Sequence, residues 1–135
     1  MYLHFVLIIF LALSGCDSKS ETSLQKYEAL NSINKYHELL NNDKKVYFVV
    51  NTQLILSDST FHYKTCAIKS SGIWEVNDDN LKLKFKTVKW IHESATDSID
   101  RTQFGTANYV KIQNYLIRTV DTVDGYELVE LLEKK

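Results

Sequence analysis

Apolar and polar residues alternate at every second position through much of the chain after Lys45, and this pattern constrains the fold most. In the clearest stretch, Leu81, Leu83 and Phe85 alternate with lysines. A period of two places the two sets on opposite faces of a strand, so this stretch predicts a half-buried β-strand. Seven or eight short runs of this kind, joined by turn residues, favour an antiparallel up-and-down barrel or a small sandwich.

The strands and turns can be assigned along the chain from β-branched and aromatic runs and from clusters of Asn, Asp, Ser and Gly. The predicted strands are Val46–Val50, Leu54–Leu56, Phe61–Cys66, Trp74–Val76, Leu81–Phe85, two between Phe104 and Val120, and Tyr126–Leu132. The predicted turns are Asp58-Ser59, Ser70-Ser71-Gly72, Asn77-Asp78-Asp79-Asn80 and Asp124-Gly125, with a polar loop from His92 to Gln103.

One amphipathic helix is predicted before these strands, from a cap at Ser23 to Asn41. Apolar residues recur there at every third or fourth position and form a single stripe. The members of the stripe are Leu24, Tyr27, Leu30, Ile33, Tyr36 and Leu40. We expect the stripe to pack against the sheet of the same chain, the alternative being a surface for a partner.

The N-terminal segment has the pattern of an export signal. Tyr2–Leu13 is an apolar run without Asp, Glu, Lys or Arg, a length that suits a signal peptide better than a membrane span. It leads directly into Leu13-Ser14-Gly15-Cys16, which resembles the lipobox of bacterial lipoproteins. The resemblance implies cleavage after Gly15, a diacylglyceryl group on the Cys16 thiol and acylation of the new amino terminus by a chain such as palmitate.

This resemblance divides the chain into a signal peptide (1–15), a lipid-anchored tether (16–22) and one domain (23–135). It places the protein in the bacterial cell envelope, held to a membrane by lipid on Cys16, since two or more acyl chains give stable attachment. The segment before the apolar run lacks Lys and Arg, unlike most export signals. An ordinary cleaved signal peptide and an uncleaved anchor are the alternatives.

The strand region resembles a second group, the small lipocalin-like lipoproteins of bacterial envelopes. The residues that carry this resemblance are Leu54-x-Leu56, Asp58-Ser59-Thr60-Phe61-x-Tyr63, Gly72-x-Trp74-x-Val76 and Leu81-x-Leu83. The resemblance implies an eight-stranded calycin-type barrel. It carries no settled activity with it, because most such proteins are uncharacterised.

The composition and the motifs exclude several function classes. A net charge of -1 argues against a nucleic-acid partner, which usually requires a basic excess. Nucleophile-elbow, zinc-protease and phosphate-loop motifs are absent, so we expect no enzyme and no cofactor. His62 and Cys66 would share a strand face, but two ligands do not make a zinc site, and we expect no metal.

The remaining function is binding. We expect Phe61, Tyr63, Trp74 and Phe85 to line a site for a small apolar ligand or lipid inside the barrel. The alternative is a solidly packed barrel, filled by aromatic rings, that serves as a protein-interaction or structural lipoprotein of the envelope. Two further expectations concern single residues. We expect Cys66 to be a small buried side chain, and we expect Glu130, near the chain end, to be solvated.

Overall fold

The computed structural model describes residues 23–92 and 105–135 and contains nine strands and one helix. The elements are β1 (Gln25–Ala29), α1 (Ile33–Leu40), β2 (Val46–Phe48), β3 (Gln53–Leu56), β4 (Thr60–Lys64), β5 (Ile68–Asn77), β6 (Asn80–Trp90), β7 (Thr106–Ile112), β8 (Tyr115–Val123) and β9 (Tyr126–Lys134).

The sheet closes on itself, and the predicted barrel is confirmed. Strands β3 to β9 follow one another as antiparallel neighbours, and β1 joins β3 to β9 by pairing antiparallel with both. These eight strands form the closed barrel. The short β2 is an additional strand and pairs in parallel with the first part of β9, at Glu127–Val129. Closure leaves few unpaired strand edges, which otherwise favour aggregation.

The barrel has two ends that are used as references below. The Trp74 end carries the turns at Asp58-Ser59, Asp78-Asp79 and Gln113-Asn114, together with the start of β1. The Gly125 end carries the β4–β5 turn, the β8–β9 turn, and the end of β6. Up-and-down strand order fixes these assignments, because consecutive antiparallel strands run in opposite directions between the two ends.

The helix is shorter than predicted, because the first part of the predicted segment is a strand. Residues Gln25–Ala29 form β1, and the helix begins only at Ile33. The predicted cap at Ser23 is wrong: Ser32 is the cap, and its side chain accepts a hydrogen bond from the backbone N–H of Lys35. The predicted end is correct, with Asn41 in a left-handed conformation directly after the last turn.

The physical reason for this difference lies in the sheet. Tyr27 is buried in the barrel interior, and β1 forms hydrogen-bonded ladders on both of its edges, so the barrel closes through it. Tertiary pairing therefore overrides the helical period of the isolated segment.

The predicted turn at Ser70-Ser71-Gly72 is also wrong, since all three residues lie within β5. The pairing register of β5 with β6 shifts between Ser71 and Gly72, which marks a β-bulge. Gly72 is needed there because a Cβ atom would lie 1.9 Å from the backbone oxygen of Lys84. The predicted turns at Asp58-Ser59, Asp78-Asp79 and Asp124-Gly125 are confirmed.

Two apolar clusters hold the fold together. The first fills the barrel interior and consists of Tyr27, Leu54, Leu56, Phe61, Tyr63, Ile68, Leu81, Leu83, Ala107, Tyr109, Leu116 and Leu132. The second lies outside the barrel, where α1 and β2 cover the outer face of β8 and β9. Its buried members are Tyr36, Ile117, Val129 and Leu131. Both faces of β9 are therefore covered, which accounts for its run of buried residues.

Candidate functional site

The interior side chains of the barrel fall into three zones along its axis. The middle is filled by buried residues such as Leu54, Phe61 and Leu83, each with no measurable exposure. At the Trp74 end there is a small apolar cavity. Toward the Gly125 end a buried polar cluster lies around Glu130. Each zone draws on several strands, because inward-facing positions of a closed barrel converge on its axis.

The cavity at the Trp74 end has a volume of about 90 Å³. Its walls include Tyr27, Leu56, Trp74, Val76, Leu81 and Leu116, and its polar edge includes Gln25, Asp79, Asn80 and Lys111. The indole N–H of Trp74 donates a hydrogen bond to the backbone oxygen of Ser57 at 2.8 Å, which fixes the ring in the wall. Val76, 54% exposed, stands at the mouth.

The size of this cavity limits what it can hold. Pockets that enclose a drug-sized ligand have volumes of about 300–1,000 Å³. An apolar cavity of about 150 Å³ in another protein stays dry and binds benzene. At about 90 Å³, the cavity accommodates a group of a few heavy atoms, such as the end of an alkyl chain, rather than a whole lipid.

The four residues predicted to line a ligand site do not all lie together. Trp74 lines the cavity. Phe61, Tyr63 and Phe85 form a separate aromatic cluster in the interior: the ring of Phe85 meets Phe61 at 5.1 Å and Tyr63 at 5.8 Å between centroids, both edge-to-face. Such pairs are favourable packing contacts. Ligand contact by any of these four residues stays a prediction.

The polar cluster is centred on Glu130, which is 0% exposed. Its carboxylate accepts hydrogen bonds from the hydroxyls of Tyr63, at 3.1 Å, and Tyr109. Arg118 on the neighbouring strand donates to the same carboxylate through Nη2 at 3.0 Å and lies over the ring of Tyr109. The expectation that Glu130 is solvated is therefore wrong. Arg118 and the hydroxyls of Tyr63 and Tyr109 compensate its charge, as a buried charge requires.

This environment shifts the acid–base behaviour of the partners. Burial, and then the negative charge of Glu130, raises the pKa of Tyr63 and the pKa of Tyr109 well above the usual tyrosine range. Burial opposes the positive charge of Arg118, but attraction to Tyr109, Glu130 and Tyr63 outweighs it and raises the pKa of Arg118. Both hydroxyls therefore keep their protons at neutral pH and remain hydrogen-bond donors to the Glu130 carboxylate.

Sequence reasoning did not find Glu130, and little in the sequence could have revealed it. In β9 the inward positions are Leu128, Glu130 and Leu132, whereas Val129 and Leu131 face α1 and β2. Because both faces are covered, apolar residues occur on each, and no alternation marks Glu130 as inward. A usable signal is its registered partner across the strand pair, Arg118.

Cys66 is exposed, so the expectation of a buried side chain is wrong. The residue lies in the β4–β5 turn rather than in a strand. The hydroxyl of Thr65 accepts hydrogen bonds there from the backbone N–H groups of Ala67 and Ile68. An open cleft of about 470 Å³ adjoins the turn, with Lys64, Cys66 and Glu28 in its lining. Within residues 23–92 and 105–135 no group of three metal-ligating side chains occurs.

Several predicted features lie outside the described residues: the signal peptide (1–15), Cys16, the tether (16–22) and, apart from His92, the polar loop to Gln103.

Comparison with protein-family models, with curated proteins and with solved structures finds no match for this chain. Among the described elements, no helix is both long and apolar enough to cross a bilayer.

Proposed function

We propose that the protein is a non-enzymatic lipoprotein of the bacterial cell envelope, anchored through Cys16, whose barrel binds a small apolar group at the Trp74 end. The observation that supports binding is the cavity of about 90 Å³. Six apolar or aromatic residues line the cavity, and the indole N–H of Trp74 donates a hydrogen bond that holds this ring in the wall. Small-ligand sites combine such apolar walls with a few polar groups, here Asp79 and Lys111 at the edge.

The binding proposal is tested by titrating the chain 17–135, carrying Trp90→Phe, with benzene-sized aromatics and short straight-chain fatty acids. Trp74 is then the remaining tryptophan, and its emission reports on the cavity. We expect a saturable change for ligands that fit. Val76→Phe, at the exposed mouth, should abolish the change by blocking entry. Val110→Phe is the matched control, because Val110 is similarly exposed but does not line the cavity. A response that survives Val76→Phe contradicts the proposed site.

The anchoring proposal is supported by the apolar run and the sequence Leu13-Ser14-Gly15-Cys16. It is tested separately, by growing bacteria that express the full chain with an alkynyl palmitate analogue. We expect label on the protein, loss of the label in Cys16→Ser, and retention in Cys66→Ser. A protein that reaches the membrane without label would contradict the lipid anchor.

The alternative is an interaction or structural lipoprotein with a packed barrel, and the filled middle of the barrel favours it. The contacts among Phe61, Tyr63 and Phe85 occupy the space where a larger ligand would lie. The two functions differ in the titration: the interaction protein gives no saturable Trp74 response. In that case, crosslinking of the lipidated chain in cells identifies its partner.

A further inference from the structure

We infer that the Trp74 end of the barrel faces the bilayer, so that the apolar group of the proposed function enters its cavity from the membrane side. The inference rests on the proposed lipid anchor at Cys16. It goes beyond that anchor because it assigns an orientation to the barrel and a membrane-contacting surface to one of its ends.

The described chain enters the barrel at the Trp74 end. The described chain starts at Ser23, and β1 begins two residues later at Gln25. Gln25 itself contributes to the edge of the cavity. Since β1 runs from the Trp74 end toward the Gly125 end, Ser23, the first described residue after Cys16, lies at the same end of the barrel as the cavity.

The segment between Cys16 and Ser23 is short compared with the height of the barrel. Seven residue steps separate Cys16 from Ser23, and a fully extended chain spans at most about 25 Å over that number. The eleven residues of β6 cover about 33 Å along the strand, or about 25 Å along the axis of a barrel whose strands tilt by about 40°. With the Gly125 end on the bilayer, Ser23 would stand about that far above it, and the tether would have to be fully extended. With the Trp74 end on the bilayer, no such extension is needed.

The Trp74 end presents exposed apolar side chains that can contact a bilayer. Leu24 is 66% exposed and Val76 is 54% exposed. Leu24 directly precedes β1, and Val76 lines the cavity mouth. Exposed apolar side chains also occur at the Gly125 end, for example Val123. The tether decides between the two sets, because it brings the set around Leu24 and Val76 to the surface with the least ordering of the chain.

The orientation is tested by energy transfer from each end of the barrel to the membrane surface. The full chain, lipidated at Cys16 and carrying Cys66→Ser, receives a single donor dye at Ser59→Cys or at Thr122→Cys. Both positions are exposed, the first in a turn at the Trp74 end and the second beside the β8–β9 turn at the other end. The proteins are placed in phosphatidylcholine vesicles whose outer headgroups carry the acceptor dye.

We expect the donor at position 59 to lie nearer the acceptor plane than the donor at position 122, by a distance on the order of the barrel height, about 25 Å. Doubling the tether length after Thr22 should reduce the difference. Equal distances, which mean that the barrel lies on its side, or a reversed order would overturn the inference.

The same samples separate this inference from the proposed function. If the full chain does not associate with vesicles, or associates equally well as Cys16→Ser, the lipid anchor has failed, and the orientation inferred from it falls as well. If the chain is anchored through Cys16 but the two donors are equidistant, the orientation alone is wrong. The Trp74 titration of the soluble chain is independent of both results.

Discussion

Replacing Arg118 by methionine removes the cation that, among the described residues, is paired with the buried carboxylate of Glu130, and it keeps much of the side-chain volume. Breaking a buried ion pair by deleting one partner costs about 3–5 kcal/mol, because the other charge is left uncompensated. Two features place the expected loss for this pair at the low end of that range. The Arg118 side chain is 19% exposed, and the hydroxyls of Tyr63 and Tyr109 still donate to Glu130. We therefore expect Arg118→Met to lower the free energy of unfolding by about 3 kcal/mol.

The assay is equilibrium unfolding of the chain 17–135 in urea, followed by far-UV circular dichroism. With a slope of about 1–3 kcal/mol per molar urea, the expected loss moves the midpoint down by about 1–3 M. The double variant Arg118→Met/Glu130→Gln should recover part of this loss, because it no longer buries an unpaired charge. The single variant Glu130→Gln completes the cycle, and the coupling energy of the pair is the loss of the double variant minus the sum of the two single losses.

The matched control is Lys84→Met, which breaks the surface pair between Lys84 and Glu75, 3.3 Å apart with both side chains well exposed. Surface pairs contribute little, so its midpoint should stay close to that of the unmodified chain. An Arg118→Met midpoint as high as that of Lys84→Met would contradict a stabilising role for the buried pair, as would a double variant whose loss equals the sum of the Arg118→Met and Glu130→Gln losses.

Three further predictions concern other parts of the fold. The pKa values of Tyr63 and Tyr109 are raised in the folded state, so their contribution to the free energy of unfolding is complete below about pH 10 and is lost above it, by about 1.4 kcal/mol per pH unit for each tyrosine. The urea midpoint should therefore fall less steeply above pH 10 in Tyr109→Phe than in the parent chain. An equally steep fall would contradict the raised pKa of Tyr109. Gly72→Ala should lower the free energy of unfolding by about 1–3 kcal/mol, since the new Cβ would overlap the backbone oxygen of Lys84 and no side-chain rotation relieves that contact. A melting temperature within error of the parent would show that the bulge tolerates a methyl group. Ser32→Ala should lower the free energy of unfolding by about 1 kcal/mol, because the helix loses its cap, and Ser23→Ala should not change it measurably in the same urea titration. Equal effects of the two substitutions would contradict the placement of the cap at Ser32.

The sequence contains enough local information to predict most of the barrel. The alternation of Leu81, Leu83 and Phe85 with lysines and the Asp124-Gly125 turn are strong signals, because each depends on a few adjacent residues. The first strand is different. Its Tyr27 also fits a helical stripe, and only pairing with β3 and β9, distant in sequence, selects the extended form.

The candidate site is less predictable from sequence than the fold, for a related reason. The aromatic character of Trp74 is enough to predict that it lines a site. The small size of the cavity is not predictable, because it depends on how Tyr27, Leu56 and Leu116 from three other strands pack around the cavity. The buried state of Glu130 depends on α1 and β2 covering the outer face of its strand. Long-range packing of this kind leaves no periodic signal in the sequence.

Native mass spectrometry shows whether the Trp74 end of the barrel holds an apolar group. The chain 17–135 and its Val76→Phe and Val110→Phe variants are incubated with a bacterial lipid extract. We predict a bound lipid-derived species on the parent chain and on Val110→Phe, and the bare protein mass for Val76→Phe. A bare mass for the folded parent chain, or an adduct that persists in Val76→Phe, would contradict the proposed binding.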